Sequence, residues 1–250
     1  MLGLIFLVAT TQDNSASGSL ISFERSFAAD VAARGIKQGF LATMDEESVV
    51  FVPTPVNGLK QYEAMAETKM KLIWEPMISV VSSDGQLGFN AGPWRIPSAE
   101  DLEKSIAEGY FTSVWRKQGD RWVMVYDCGS QGPSVPVKKF DVERLKTSGR
   151  STLAALKEAD ANVTNHLDAG SLLFVSSRAV ARGTDEVRQV RKELDGLVLK
   201  VTKSGIAKSS DLAWSYGTTE KDGKTGGFSR CWRCVNGEWR LVAEVVLPPQ

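Results

Sequence analysis

Apolar and polar residues alternate along Tyr110–Cys128 as two arms around a polar turn at Gln118–Asp120, and each arm carries one tryptophan, Trp115 or Trp122. Alternation with period two on both sides of a Gly-Asp turn predicts a β-hairpin. The same pattern returns over Phe228–Val245, with Trp232 and Trp239 on its arms and Asn236-Gly237 at its turn.

The segments before each hairpin also follow one order. After Ser22, a candidate helix cap, Phe23, Phe27, Val31, Ile36, Phe40 and Met44 fall near helical spacing, with a break at Gly35. Ser48–Val52 reads as a strand stopped by Pro53 and Pro55, and the Ala-, Met-, Lys- and Glu-rich stretch Leu59–Lys71 predicts a helix. Leu72–Val81, with a bulge at Pro76, and Gln86–Ile96 read as strands, and Pro97–Glu108 as a polar excursion that could act as a lid. In the second half, helices are expected over Leu153–Leu167 and Thr184–Leu194. Strands are expected over Leu172–Val175, Leu197–Val201, Leu212–Thr219, Gly227–Cys234 and Glu238–Val246.

The two halves register on one another. Gly58/Gly183, Leu72/Leu197, Leu87/Leu212 and Gly92/Gly217 are each 125 apart, while Phe111/Phe228, Trp115/Trp232, Arg116/Arg233, Trp122/Trp239 and Val125/Val242 are each 117 apart. The Pro97–Glu108 excursion, missing from the second half, accounts for the change. A repeated Gly, Trp and apolar framework predicts two copies of one α+β unit. The expected division is a leader over 1–18, a first domain over 19–128, a Gly/Ser/Pro-rich linker over 129–151 and a shorter second domain over 152–250.

Charge and composition exclude more than they assign. Thirty basic residues balance thirty acidic ones without a basic stripe, so neither nucleic acid nor an anionic membrane surface is an expected partner. Leu2–Ala9 is too short to span a bilayer but has the size of a signal-peptide core, and small residues follow it. Periplasmic or extracellular export is the expectation if it is a signal, and a cytoplasmic protein otherwise. Cys231-Trp-Arg-Cys234 matches a redox or metal motif in spacing, but on a strand residues three apart face opposite ways, so the sulfurs diverge.

The pieces ERSFA at Glu24–Ala28, FVPTPVNG at Phe51–Gly58, LIWEP at Leu72–Pro76, LGFNAGPW at Leu87–Trp94 and SVWRKQGDRW at Ser113–Trp122 resemble SnoaL-like members of the nuclear transport factor 2-like superfamily. The resemblance covers Ser22–Cys128 well and Thr152–Val246 more weakly. It implies an α+β fold of two cone-shaped domains, each a curved antiparallel sheet packed on helices with a pocket at the wide end. It also implies sheet-to-sheet pairing, either between the two domains of one chain or in a homodimer. Relatives include isomerases, cyclases, dehydratases and non-catalytic binding modules, among which the fold cannot choose.

Enzymes of this fold place an acid in an apolar pocket, where its pKa rises into the range of a general base. Asp127, at the end of the first hairpin, is the candidate, and its counterpart Glu244 is also acidic. Strict alternation puts Asp127 on the face of Val123 and Val125, opposite Trp122, Met124 and Tyr126. An ion pair with Arg116 or Arg95 is the competing structural role. Trp74, Trp94, Tyr110 and Tyr126, with Arg95, form the candidate ligand-binding set, whereas Trp115 and Trp122 read as framework. His166 has no acid at helical contact spacing, and Asp45–Glu47 lacks the His or Cys partners of a transition-metal site, so no cofactor or metal is expected. The leading expectation is an exported protein that binds a small apolar or sugar-like molecule in its first domain. The alternatives are a cofactor-independent isomerase, cyclase or dehydratase using Asp127, or a structural module.

Overall fold

The structure is a computed structural model that describes residues 15–249. The leader Leu2–Ala9 lies outside them. The first unit contains α1 (Ala16–Arg34), α2 (Ile36–Leu41), β1 (Val49–Val52), β2 (Thr54–Asn57), α3 (Gly58–Ala64), β3 (Ile73–Trp74), β4 (Ile78–Val81), β5 (Leu87–Pro97), β6 (Ser105–Gln118) and β7 (Arg121–Gln131). After β8 (Glu143–Leu145) come α4 (Leu153–Ala161), β9 (Leu172–Val175), β10 (Ala181–Arg182), α5 (Gly183–Glu193), β11 (Val198–Ile206), β12 (Leu212–Lys221), β13 (Lys224–Val235) and β14 (Glu238–Leu247). The first sheet runs β2-β1-β7-β6-β5-β4-β8, with β3 also on β5, and the second runs β10-β9-β14-β13-β12-β11. The fold is α+β, two units of mostly antiparallel sheet packed on helices, with β1 on β7 and β9 on β14 as parallel pairs.

Helix α1 begins earlier than Ser22: Ser15 Oγ accepts from Gly18 N. The buried stripe of α1 is Leu20, Glu24, Phe27 and Val31, at the spacing of one helix face. The helix expected over Leu59–Lys71 stops at Ala64, where Met65 takes an extended conformation. Propensity without an apolar stripe does not hold a helix of that length. The linker also differs from expectation. Strand β7 continues to Gln131, and Glu143–Leu145 add to the first sheet as a parallel strand on Ile78–Val80.

One device shapes both hairpins. The β6–β7 register slips between Val114 and Trp115, leaving Val125 without a partner, and the β13–β14 register slips between Cys231 and Trp232, leaving Val242 without one. Such a bulge bends the strand and reverses the faces of all residues beyond it. Before the bulge, Trp122 and Met124 pack under the helices with Trp115; after it, Tyr126 and Cys128 turn to the opposite face. Trp239 and Leu241, then Ala243 and Val245, do the same in the second unit.

That opposite face is where the two sheets meet. Val80, Phe89, Val114 and Tyr126 of the first share one apolar core with Phe174, Tyr216, Cys231 and Val245 of the second. At its centre Thr112 Oγ1 and Ser229 Oγ lie 3.4 Å apart. Near one end, Asp211 Oδ2 accepts from Ser83 N at 2.8 Å while Asp84 Oδ2 accepts from Ser209 N at 2.9 Å, a reciprocal exchange of the kind a two-fold interface makes. Cys231 packs in this shared core and Cys234 under the helices of the second unit, so the two thiols stand on opposite faces.

Gly92 and Gly217 hold equivalent close approaches. A Cβ on Gly92 would fall 2.0 Å from the Glu75 carbonyl oxygen, and one on Gly217 would fall 1.9 Å from that of Lys200. Neither oxygen can yield without moving a strand. Gly92→Ala and Gly217→Ala should therefore each cost at least about 1–3 kcal/mol, the usual range for overpacking. Urea denaturation of each single variant measures this; a loss under about 0.5 kcal/mol would show that the strands give way cheaply.

Candidate functional site

A cavity of about 230 Å³ opens between the helices and the sheet of the first unit. Phe27 of α1, Phe40 of α2, Tyr62 of α3, Leu72, Trp74 of β3, Trp94 and Ile96 of β5, Phe111 of β6 and Asp127 of β7 line it. Phe40 and Tyr62 stack with centroids 4.7 Å apart, and Phe27 meets Trp74 edge-on at 5.0 Å. Such contacts set the ring positions by quadrupole geometry as well as by burial. The walls are almost wholly apolar. Asp127 brings a carboxyl group, Tyr62 a phenol, and Trp94 an indole N–H that is buried without an acceptor.

Asp127 reaches this cavity because of the bulge. Strict alternation would place it with Val123 and Val125; the extra residue Val125 turns it instead to the side of Trp122 and Met124, where the helices lie. No cation and no hydrogen-bond donor touches its side chain among the described residues. Arg116 is engaged by Asp45 at 2.6 Å and by Glu47 at 3.4 Å, and Arg95 donates to the Leu102 carbonyl at 2.8 Å. Burial pushes the Asp127 carboxyl up to about 8, and the neighbouring charge of Glu24 pushes in the same direction.

Glu24 is the second acid here. It is 1% exposed and accepts from Trp74 Nε1 at 2.9 Å, Asn90 Nδ2 at 2.9 Å, Trp115 Nε1 at 3.0 Å and Ser113 Oγ at 3.1 Å. Burial raises its pKa and these four neutral donors oppose that rise. Ser113 is also the cross-strand partner of Asp127, so Glu24 lies just behind the cavity's acid. The residue pattern gives one signal for Glu24, its place in the buried stripe of α1 between Leu20 and Phe27. Nothing in the local sequence of Tyr62 marks it as a site residue.

The other sequence candidates divide by face. Trp74 and Trp94 line the cavity. Arg95 does not, because adjacent strand residues point to opposite sides of the sheet. Tyr110 and Tyr126 are buried between the two sheets: Tyr110 stacks on Phe174 with centroids 4.8 Å apart, and Tyr126 donates its O–H to the Arg230 carbonyl at 3.0 Å. His166 sits beside Trp232, its Nδ1 3.0 Å from the Trp239 carbonyl oxygen.

In the second unit the same position is neutralised. Glu244, fully buried, is bonded by Arg230 Nε at 2.8 Å and by Arg191, and Arg230 also reaches Asp160 Oδ1 at 3.1 Å. These cations hold the Glu244 carboxyl below its ordinary range against the cost of burial. Arg230 stands where the first unit has Ser113, 117 residues earlier. Two arginines, Arg191 and Arg230, thus separate a paired acid from an unpaired one.

Neither a protein-family model nor a curated relative matches this chain. Solved structures do resemble parts of it. A nuclear transport factor 2-like protein of unknown function from Shewanella oneidensis is 16% identical, covers 46% of this chain and 99% of its own, and gives a TM-score of 0.36. A ketosteroid isomerase-like protein from Erwinia carotovora atroseptica is 19% identical over 38% of this chain and 85% of its own, with a TM-score of 0.27. The CamKII hub homology domain of Chlamydamonas reinhardtii is 18% identical over 46% of this chain and 97% of its own, with a TM-score of 0.37.

The raised Asp127 pKa has a direct consequence for stability. The folded protein keeps this proton up to about pH 8, whereas the unfolded chain releases it near 3.8. Between those values the native state binds more protons, so stability falls as pH rises, by up to about 1.4 kcal/mol per pH unit. Asp127→Asn removes the titration. The variant should match the wild type near pH 4 and become progressively more stable than it toward pH 8, with no further gain above. Denaturant melts of both proteins across that range test this, and a constant difference would mean that the carboxyl titrates normally.

Proposed function

We propose that the first unit binds a small, largely apolar molecule in the Asp127 cavity and moves a proton on it, as a cofactor-independent isomerase, cyclase or dehydratase does. The observation that carries this reading is an unpaired carboxyl in an aromatic cavity beside an unsatisfied indole N–H. Its volume, about 230 Å³, is below the roughly 300–1,000 Å³ of drug-sized sites, which suits a molecule of one or two rings. The scarcity of polar groups favours an apolar ligand over a sugar, whose hydroxyls would lack partners.

In this reading the Asp127 carboxylate takes a proton from a carbon next to a ligand carbonyl. The electron pair of the broken C–H bond moves onto the carbonyl oxygen, giving an enolate. Trp94 Nε1–H and the Tyr62 O–H are the donors available to it, and the Tyr62 phenol stays protonated because burial and the Asp127 charge both raise its pKa. If the ligand has a β,γ double bond, the enolate is a dienolate and Asp127 returns the proton to its γ carbon, completing an isomerisation; if it has a β-hydroxyl, the enolate expels that oxygen, which leaves as water with the proton from Asp127. An acid with a pKa of about 8 serves well in both directions near neutral pH.

The same reading takes the chain as a tandem duplication of a nuclear transport factor 2-like unit. The second copy supports the first and has its acid closed off by Arg230 and Arg191. Export is part of it, the leader acting as a signal. Cell fractionation with N-terminal sequencing of the mature protein tests that part; full-length protein in the cytoplasm would end it.

The chemistry is tested by a thermal-shift screen of one- and two-ring ketones, then by deuterium wash-in from D₂O, followed by NMR, for the compounds that bind. Wild-type wash-in should rise with pH to a plateau above about 8. Asp127→Asn should slow it by on the order of 10²–10⁴-fold while still binding, and Trp94→Ala should weaken binding. Wash-in that is indifferent to Asp127→Asn would leave the cavity a binding site without this chemistry.

A further inference from the structure

The chain is neutral as a whole, yet four cations gather at a cleft of about 380 Å³ between the two units. Arg116 and Lys117 come from the end of β6, Lys203 from β11 and Lys208 from the turn after it, with Glu47 the one acid on the lining. Arg116 is held by Asp45 and Glu47, and Lys117 lies over the Trp122 ring. Lys203 and Lys208 are exposed, and neither has an ion-pair partner among the described residues. Trp214 and Tyr216, stacked at 5.6 Å, form the apolar wall. Gly205 lets that wall close, since a Cβ there would lie 2.6 Å from the Trp214 ring.

The equivalent place on the other side of the interface is filled by the chain itself. There the residues matching Gln86, Leu87, Arg116 and Lys117 are Asp211, Leu212, Arg233 and Cys234, at the offsets of 125 and 117 already noted. The linker runs across them: Arg233 Nη1 donates to the Lys146 carbonyl at 3.0 Å, Thr147 Oγ1 to Asp211 Oδ2 at 2.6 Å, and Ser148 N to the Cys234 carbonyl at 2.8 Å. Just before this, Glu143–Leu145 form a parallel strand on Ile78–Val80. The residues 125 further on, Lys203–Gly205, belong to β11, which ends the second sheet and has no strand on its outer edge among the described residues.

We propose that this cleft receives an extended, acidic segment of a partner protein, added as a parallel strand along Lys203–Gly205 in the place that corresponds to the linker's. An exposed edge offers backbone hydrogen bonds to any extended chain, and flanking side chains choose which one. The linker shows that the matching cleft of this protein accommodates a strand. The surplus of positive charge over Glu47 selects carboxylates, and the Trp214–Tyr216 wall suits an apolar side chain between them.

The test uses the full-length protein and a ten-residue peptide with the linker sequence 140–149 carrying Glu in place of Arg144 and Lys146. Isothermal titration should show saturable one-to-one binding that weakens as salt is added. The double variant Lys203→Glu/Lys208→Glu changes two exposed side chains and should keep its circular dichroism and melting temperature, but bind about tenfold or more weakly. A peptide N-methylated at alternate amides should lose affinity to a similar degree, because it cannot pair with a strand edge. Absence of binding would mean that the lysines merely shield the edge. Equal affinity for the N-methylated peptide would make the cleft a site for anions and not for strands. Either result overturns the proposal, as does affinity unchanged by the charge reversal.

Discussion

Each sheet in this protein is apolar on both faces, and that requirement governs the rest of the structure. Helices cover one face of each. The other face of the first sheet, with Phe89, Val114 and Tyr126, would lie open to water if the second sheet were absent. Exposed apolar surface on that scale is avoided by soluble proteins. The two sheets therefore bury one another, and the polar contacts between them, Thr112 with Ser229 and the exchange between Ser83–Asp84 and Ser209–Asp211, set their register without supplying most of the energy.

A strand with two buried faces has no outlet for a charged side chain except a cavity or an ion pair, and the two units take different outlets. In the second, Glu244 and Asp160 share Arg230, with Arg191 completing the network. Such a network is tolerated only when every member is satisfied. In the first, Ser113 stands in place of Arg230, so Glu24 is held by neutral donors and Asp127 meets an opening lined by aromatic rings. The unpaired acid and the cavity belong together, because a carboxyl with neither cation nor water could not be kept in the core.

Much of the framework was legible along the chain. Period-two alternation located the long hairpins, Asn236-Gly237 marked a turn that both residues enter with positive φ, and the spacing of Gly positions picked out Gly92 and Gly217, which make like close approaches to a carbonyl oxygen. The site was legible in part. Asp127, Trp74 and Trp94 line the cavity, but Arg95, Tyr110 and Tyr126 sit on the sheet's other side. Arg95 was excluded by alternation alone, since it follows Trp94. Tyr126 depended on a bulge that leaves no mark in the residues around Val125.

By itself the sequence determined most of the long strands and helices, where the hairpins turn, and which few acids stand near the ends of apolar strands. Those properties arise from interactions within a few residues, through side-chain periodicity and backbone preference. Tertiary structure decided which way Asp127 faces, because a bulge is a property of two paired strands and not of either alone. It also made Glu24 a buried acceptor of four bonds, by laying α1 across β5 and β6, and it gave Glu244 the cations that Asp127 lacks, from segments 14 and 53 residues away. Whether a carboxyl becomes a structural ion pair or a raised-pKa acid is settled by what the fold brings next to it, and those neighbours are distant in the chain.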